Sequence, residues 1–104
     1  MRTDNNTVYT LNEIKTMLNP VFQSYNVKRA VLFGSYSKGL ATPKSDIDLM
    51  VDSGLKGLRF VGLIGDIQLS LQGKDVDVFD VTHVKKGSLV EREINKTGVE
   101  IYAK

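Results

Sequence analysis

Residues 46–52 alternate strictly, with Asp46, Asp48, Met50 and Asp52 interleaved between Ile47, Leu49 and Val51. A period of two is the pattern of a strand whose successive side chains point to opposite faces of a sheet. Other apolar runs read as strands beside it: Ala30-Val31-Leu32-Phe33, ended by Gly34, then Asp75-Val76-Asp77-Val78-Phe79-Asp80, and last Val99-Glu100-Ile101-Tyr102. Helical spacing fills the intervals. Thr10 and Glu13 form a capping box before Leu11, Ile14, Met17, Leu18, Val21 and Phe22, a segment that Pro20 is expected to kink or divide. Ser35 to Leu40 reads as a short helix and Leu58 to Leu71 as a longer one, after which Gly73 and Lys74 lead into the third strand. A second capping box, Ser88 and Glu91, opens a helix that Gly98 should stop. Helices and strands in this order predict a mixed α/β (α+β) fold, a small mixed sheet flanked by helices.

With 104 residues the chain fits one domain, spanning 1–104. No apolar run reaches 18 residues, so no membrane span is expected. Without cysteine there is neither a disulfide framework nor a thiolate metal site. The first ten residues lack the apolar core of a secretory signal, and a cytoplasmic protein is the plain reading. A net charge of +2 is too weak to argue for nucleic acid as a direct partner. The distribution is uneven: before Asp46, Arg2, Lys15, Lys28, Arg29, Lys38 and Lys44 face only Asp4 and Glu13. This is either a basic rim beside an acidic site or ordinary solvated charge.

Asp46 and Asp48 project from one strand face, their Cα atoms roughly 6.6 Å apart. Two carboxylates with charges 4 Å apart repel by on the order of 4 kcal/mol at an effective dielectric near 20. A cation removes the conflict, and magnesium favours a few carboxylates completed by substrate phosphates. A carboxylate on a neighbouring strand would complete a site for two ions. Asp75 and Asp77 share one face of the third strand. Asp77 is preferred because it lies further inside, fixed between Val76 and Val78.

Gly34 and Ser35 follow an apolar strand. Glycine lets the backbone approach a phosphate closely, and free N–H groups at a following helix start would face the anion, with the serine hydroxyl as a further donor. The Gly-Lys-Ser/Thr ending of a Walker loop is missing. Tyr36 either stacks on a base or packs beneath the loop. Lys38 and Lys44 either meet phosphate or stay in solvent. His83, just after the third strand, reads as a loop residue rather than a catalytic base.

Gly34-Ser35, ten residues from Tyr36 to Ser45, and then Asp46-Ile47-Asp48 match the signature of the nucleotidyltransferase superfamily related to DNA polymerase beta. The resemblance runs from about Val27 to Tyr102, with Asp77 at the place of the third aspartate. Within that superfamily the chain looks most like the minimal nucleotidyltransferases encoded beside a HEPN-domain protein, many of which are antitoxins. The resemblance implies a nucleotidyltransferase fold, two magnesium ions held by Asp46, Asp48 and Asp77, and Gly34 and Ser35 touching the triphosphate. It also implies transfer of AMP from ATP to a tyrosine of the toxin, as in several relatives.

The chemistry this resemblance implies is in-line attack by a hydroxyl on the α-phosphorus, with Asp77 the candidate to bridge an ion or accept the proton. Larger relatives hold the acceptor on a second domain, so here a separate protein is expected to present it. On the helix from Leu58 to Leu71, Phe60, Leu63, Ile64, Ile67 and Leu71 form one apolar face; Leu58, Val61, Gly62, Gly65 and Leu69 form another. That second face is buried either by the chain's own core or by a partner. An alternative function is neutralisation of the partner by contact, with nucleotide binding regulatory or vestigial.

Overall fold

The computed structural model describes residues 6–104, so Arg2 and Asp4 of the charge asymmetry lie outside the described residues. The elements are α1 (Leu11–Ser24), β1 (Arg29–Phe33), β2 (Ile47–Asp52), α2 (Leu58–Ser70), β3 (Val76–Asp80), a 3-10 turn (Val81–His83), α3 (Leu89–Thr97) and β4 (Val99–Ala103). The four strands form one sheet in the order β3-β2-β1-β4. β1 pairs antiparallel with β2 and β4, and β2 pairs parallel with β3. This is the expected mixed sheet with flanking helices.

Alternation sorts the side chains between two faces. Ala30, Leu32, Ile47, Leu49, Val51, Val76 and Ile101 pack with Ile14, Leu18 and Phe22 of α1 and Leu63 and Ile67 of α2 in the main core. Val31, Phe33 and Met50 point the other way, under Val90 and Ile94 of α3 and beside Phe79. Both faces of β1 and β2 are thus covered, which holds these central strands rigidly. No helix among the described residues is long and apolar enough to cross a membrane.

Thr10 caps α1 with the full box, accepting from Glu13 N–H at 3.1 Å while Glu13 accepts from Thr10 N–H at 2.8 Å. Pro20 does not divide the helix. It removes one backbone donor, but the buried face of Ile14, Leu18, Val21 and Phe22 carries the helix past it. The short helix expected from Ser35 is a run of turns instead. Gly34 and Gly39 take φ of 78° and 73°, and Leu40 N–H reaches back to Ser35 O at 3.0 Å, which closes a loop rather than starting a helix. Gly98 does end α3, but with φ −63°, outside the left-handed conformation. Glycine is needed there for space, since a Cβ would lie 2.4 Å from Ile94 O and 2.9 Å from Val31 Cγ1.

On α2, Leu63 and Ile67 are buried, whereas Leu58, Val61 and Leu69 are 88%, 60% and 77% exposed. The second apolar face is therefore not part of the chain's own core. Gly65 has open space around its Cβ position, and Gly62 faces Tyr25, whose hydroxyl donates to Asp66 at 2.6 Å.

Candidate active site

The parallel pairing of β2 with β3 sets Asp48 directly opposite Asp77, near the start of each strand and on the α3 side of the sheet. Asp46 lies just before β2, where Ile47 N–H donates to Asp75 O at 3.0 Å. Asp46 and Asp77 are exposed and Asp48 is half-buried. Burial pushes the Asp48 carboxyl up to about 6, and the negative charges of Asp77, Asp46 and Glu93 push it the same way. The sequence pattern had implied three converging carboxylates; α3 adds Glu93 to the acids acting on Asp48.

A carboxyl destabilised by three neighbouring acids is relieved by a divalent cation, so the donor set fits magnesium in kind. Among the described residues no three His, Asp or Glu side chains are grouped closely enough to hold an ion by themselves.

Gly34 lies at the end of β1 against this cluster. A Cβ built on it would sit 2.5 Å from Asp48 Oδ2, so any side chain would displace the carboxylate. Its N–H donates to Thr97 Oγ1 at 3.0 Å, and Thr97 Oγ1 donates in turn to Glu93 O at 2.8 Å. The Gly34 amide is thus already engaged, and glycine's part is close approach. Gly34 O accepts from Ser37 Oγ at 2.8 Å and from Lys38 N–H at 3.3 Å. The N–H groups of Ser35, Tyr36 and Ser37 meet no acceptor among the described residues. Three successive unengaged amides in the turn that follows Gly34 are donors of the kind that suits an anion.

Other expectations resolve by position. Tyr36 is buried and packs beneath the loop. Lys38 is exposed and lies 4.0 Å from Glu93, while Lys44 is exposed. Asp75 falls before β3 and contributes its carbonyl to β2. His83 lies at the far end of β3 from Asp77, its ring 6.4 Å from that of Phe60. Glu93 and Thr97 carried no local signal in the sequence, because only the packing of α3 on β1 brings them to the Gly34 turn.

Residues 15–104 match the family model described as "Polymerase beta, Nucleotidyltransferase". A 71-residue stretch is 38% identical to the "Putative protein adenylyltransferase MJ0435" of Methanocaldococcus jannaschii, covering 65% of this chain and 74% of that one. A 47-residue stretch is 47% identical to the "Putative protein adenylyltransferase MJ1379" of the same organism, covering 41% and 47%. Among solved structures, one described as a toxin-antitoxin with AMP-PNP matches with a TM-score of 0.72 at 21% identity, over 86% of this chain and 73% of that one. A structure of tri-AMPylated Shewanella oneidensis HEPN toxin in complex with MNT antitoxin matches with a TM-score of 0.68 at 18% identity, over 91% and 74%. At those identities the structural likeness carries the fold alone. The family match spans most of the chain, including the turn at Gly34 and all three aspartates: this protein is a nucleotidyltransferase of the polymerase beta family.

Proposed function

We propose that the chain transfers AMP from ATP to a hydroxyl of a HEPN-type partner protein in the cytoplasm, acting as the antitoxin of a toxin–antitoxin pair. The observation that carries this reading is the register of Asp48 with Asp77 beside a turn whose amides at 35–37 are unengaged. The names of the relatives, as protein adenylyltransferases and as toxin–antitoxin complexes, point to the donor and the acceptor.

Asp46, Asp48 and Asp77 would hold two magnesium ions, which when bound neutralise the triphosphate and lower the pKa of the attacking hydroxyl. The amides of Ser35 to Ser37 and the Ser35 hydroxyl would orient the phosphates. Gly34, kept bare, would leave room for a phosphate beside Asp48. Asp77, exposed opposite Asp48, is the candidate to bridge an ion or to take the proton of the acceptor hydroxyl. The acceptor oxygen bonds to the α-phosphorus, the bond to the β-bridging oxygen breaks, and pyrophosphate leaves.

The test is transfer of label from α-labelled ATP to the purified HEPN-type partner with magnesium. Label on the partner, lost on Asp46→Asn, Asp48→Asn or Asp77→Asn, is expected. Transfer at the unsubstituted rate in these variants would reject the site. Neutralisation of the toxin by unlabelled contact alone would favour the binding-module alternative.

A further inference from the structure

The loop between the turn after Gly34 and β2 packs on the main core through Ala41 but has few hydrogen bonds to the rest of the chain. Within residues 41–46, Thr42 N–H donates to Ser45 Oγ at 2.9 Å, Ser45 N–H to Thr42 O at 2.9 Å and Lys44 N–H to Thr42 Oγ1 at 3.3 Å. These bonds make a local turn and anchor it to nothing. Among the described residues, the single hydrogen bond tying this strap to the rest of the chain comes from Lys74, whose Nζ donates to Pro43 O at 3.1 Å.

Lys74 is 4% exposed, and no carboxylate among the described residues pairs with it. A buried ammonium is costly unless hydrogen bonds compensate it. Here Nζ also donates to Thr7 O at 3.0 Å and lies 5.9 Å from the centre of the Tyr36 ring, within cation–π range. One cation therefore joins four stretches: the segment before α1, the phosphate turn through Tyr36, the strap through Pro43, and the entry to β3 two residues before Val76. Pro43 is three residues from Asp46, which stands just before β2: the Ile47 N–H bond to Asp75 O holds its sheet side, and the strap leads into its other side. An apolar residue in this place would fill the volume without gathering carbonyls.

We propose that Lys74 is a positioning residue of the nucleotidyl-transfer site: its ammonium fixes the strap so that Asp46 stands beside Asp48, and steadies the turn after Gly34 through the Tyr36 ring. The inference rests on the nucleotide site proposed above. Its structural half, the clamp, is testable without any nucleotide.

The experiment compares the unsubstituted protein with Lys74→Met and with Lys74→Cys before and after alkylation by bromoethylamine. The chain has no other cysteine, so alkylation returns an ammonium at that place alone. Amide hydrogen exchange of peptides spanning 38–46 is read without ligand, and magnesium–ATP affinity by calorimetry. Loss of bonds from a charged donor should speed exchange of the strap by about tenfold or more, with β1 and β2 unchanged. The dissociation constant for magnesium–ATP should rise by about the same factor. Alkylated Lys74→Cys should recover both. Unchanged strap exchange overturns the clamp. Faster exchange throughout the sheet, or an unfolded Lys74→Met that alkylated Lys74→Cys does not reverse, makes Lys74 a general stabiliser and overturns the proposal. Loosened strap amides with undiminished magnesium–ATP affinity overturn the positioning role. If the unsubstituted protein binds no magnesium–ATP, the nucleotide reading fails, while the exchange comparison still decides the clamp.

Discussion

The Cβ that Gly34 lacks would lie 2.5 Å from Oδ2 of Asp48. Gly34 also holds φ at 78°, where a side chain costs about 1–2 kcal/mol. Gly34→Ala should therefore pay strain and push the carboxylate aside as well. Gly54, with φ 68° and nothing within 4 Å, supplies the control, since Gly54→Ala bears the strain alone. Both variants should melt lower; only Gly34→Ala should lose magnesium–ATP binding, by about tenfold or more if the displaced carboxylate forfeits one charge-assisted contact. Equal affinities in calorimetry would separate Gly34 from the site.

Asp48 titrates near 6 in the fold, above its ordinary 3.8. The folded state thus binds a proton more tightly than the unfolded chain, and stability falls as pH rises from about 4 to 6, then levels. A shift of this size is worth about 3 kcal/mol undiscounted, and for a half-buried group solvent screening leaves about 1 kcal/mol. Asp48→Asn should melt about 4–8 °C above the unsubstituted protein at pH 7.5 without metal. The gain should vanish near pH 4. A difference that is constant across this range would contradict the electrostatic origin.

Asp80 points to the opposite face from Asp77 and is 2% exposed. Burial raises its pKa, but hydrogen bonds from Ser53 and Thr82, side chain and backbone, outweigh burial and hold it below the usual carboxylate range. Its contribution is present at neutral pH and lost as pH falls below about 4. Asp80→Ala leaves the donors of Ser53 and Thr82 stranded and should cost about 2–4 kcal/mol in denaturant melts at pH 7. Folded Asp80→Ala should still bind magnesium–ATP, because Asp80 closes the far end of β3. A near-neutral melt would show the bonds to be dispensable.

Leu69 is 77% exposed on α2, so Leu69→Lys should leave the melting of the isolated chain within about 0.5 kcal/mol. Ile67→Ala, two residues away and fully buried, should cost about 2–5 kcal/mol. If a HEPN-type protein docks on this face, Leu69→Lys with Gly65→Gln should weaken complex formation in calorimetry while magnesium–ATP affinity stays unchanged. Undiminished association would place the contact on another surface.

The local parts of the fold were legible because each rests on short-range rules. The Thr10–Glu13 box, the alternation from Asp46 to Asp52 and the direction of Asp77 between Val76 and Val78 all follow from spacing along one element. The turn after Gly34 was misread because Ser35 to Leu40 has no helix-breaking residue before Gly39, and the positive φ of Gly34 shows only in three dimensions. Glu93 and Thr97 were invisible for a different reason. Thr97 meets Gly34 across 63 residues of chain, and its spacing marks nothing but the end of a helix. Lys74 passed as a turn residue beside Gly73, since no sequence rule anticipates a buried lysine capped by carbonyls.

β2 and β3 are the one parallel pair in a sheet whose other pairings are antiparallel. Parallel neighbours need a return path of about a dozen residues or more, whereas an antiparallel pair needs as few as two. A hairpin after Asp52 would send the next strand back from the wrong end, and its first residues would lie beside Val51 rather than Asp48. The return through α2 is therefore what brings two strand starts to one edge. For anyone seeking to miniaturise such a catalyst, loops can be trimmed, but the crossover sets the floor: below its length no chain of this topology can place a second-strand acid beside the first.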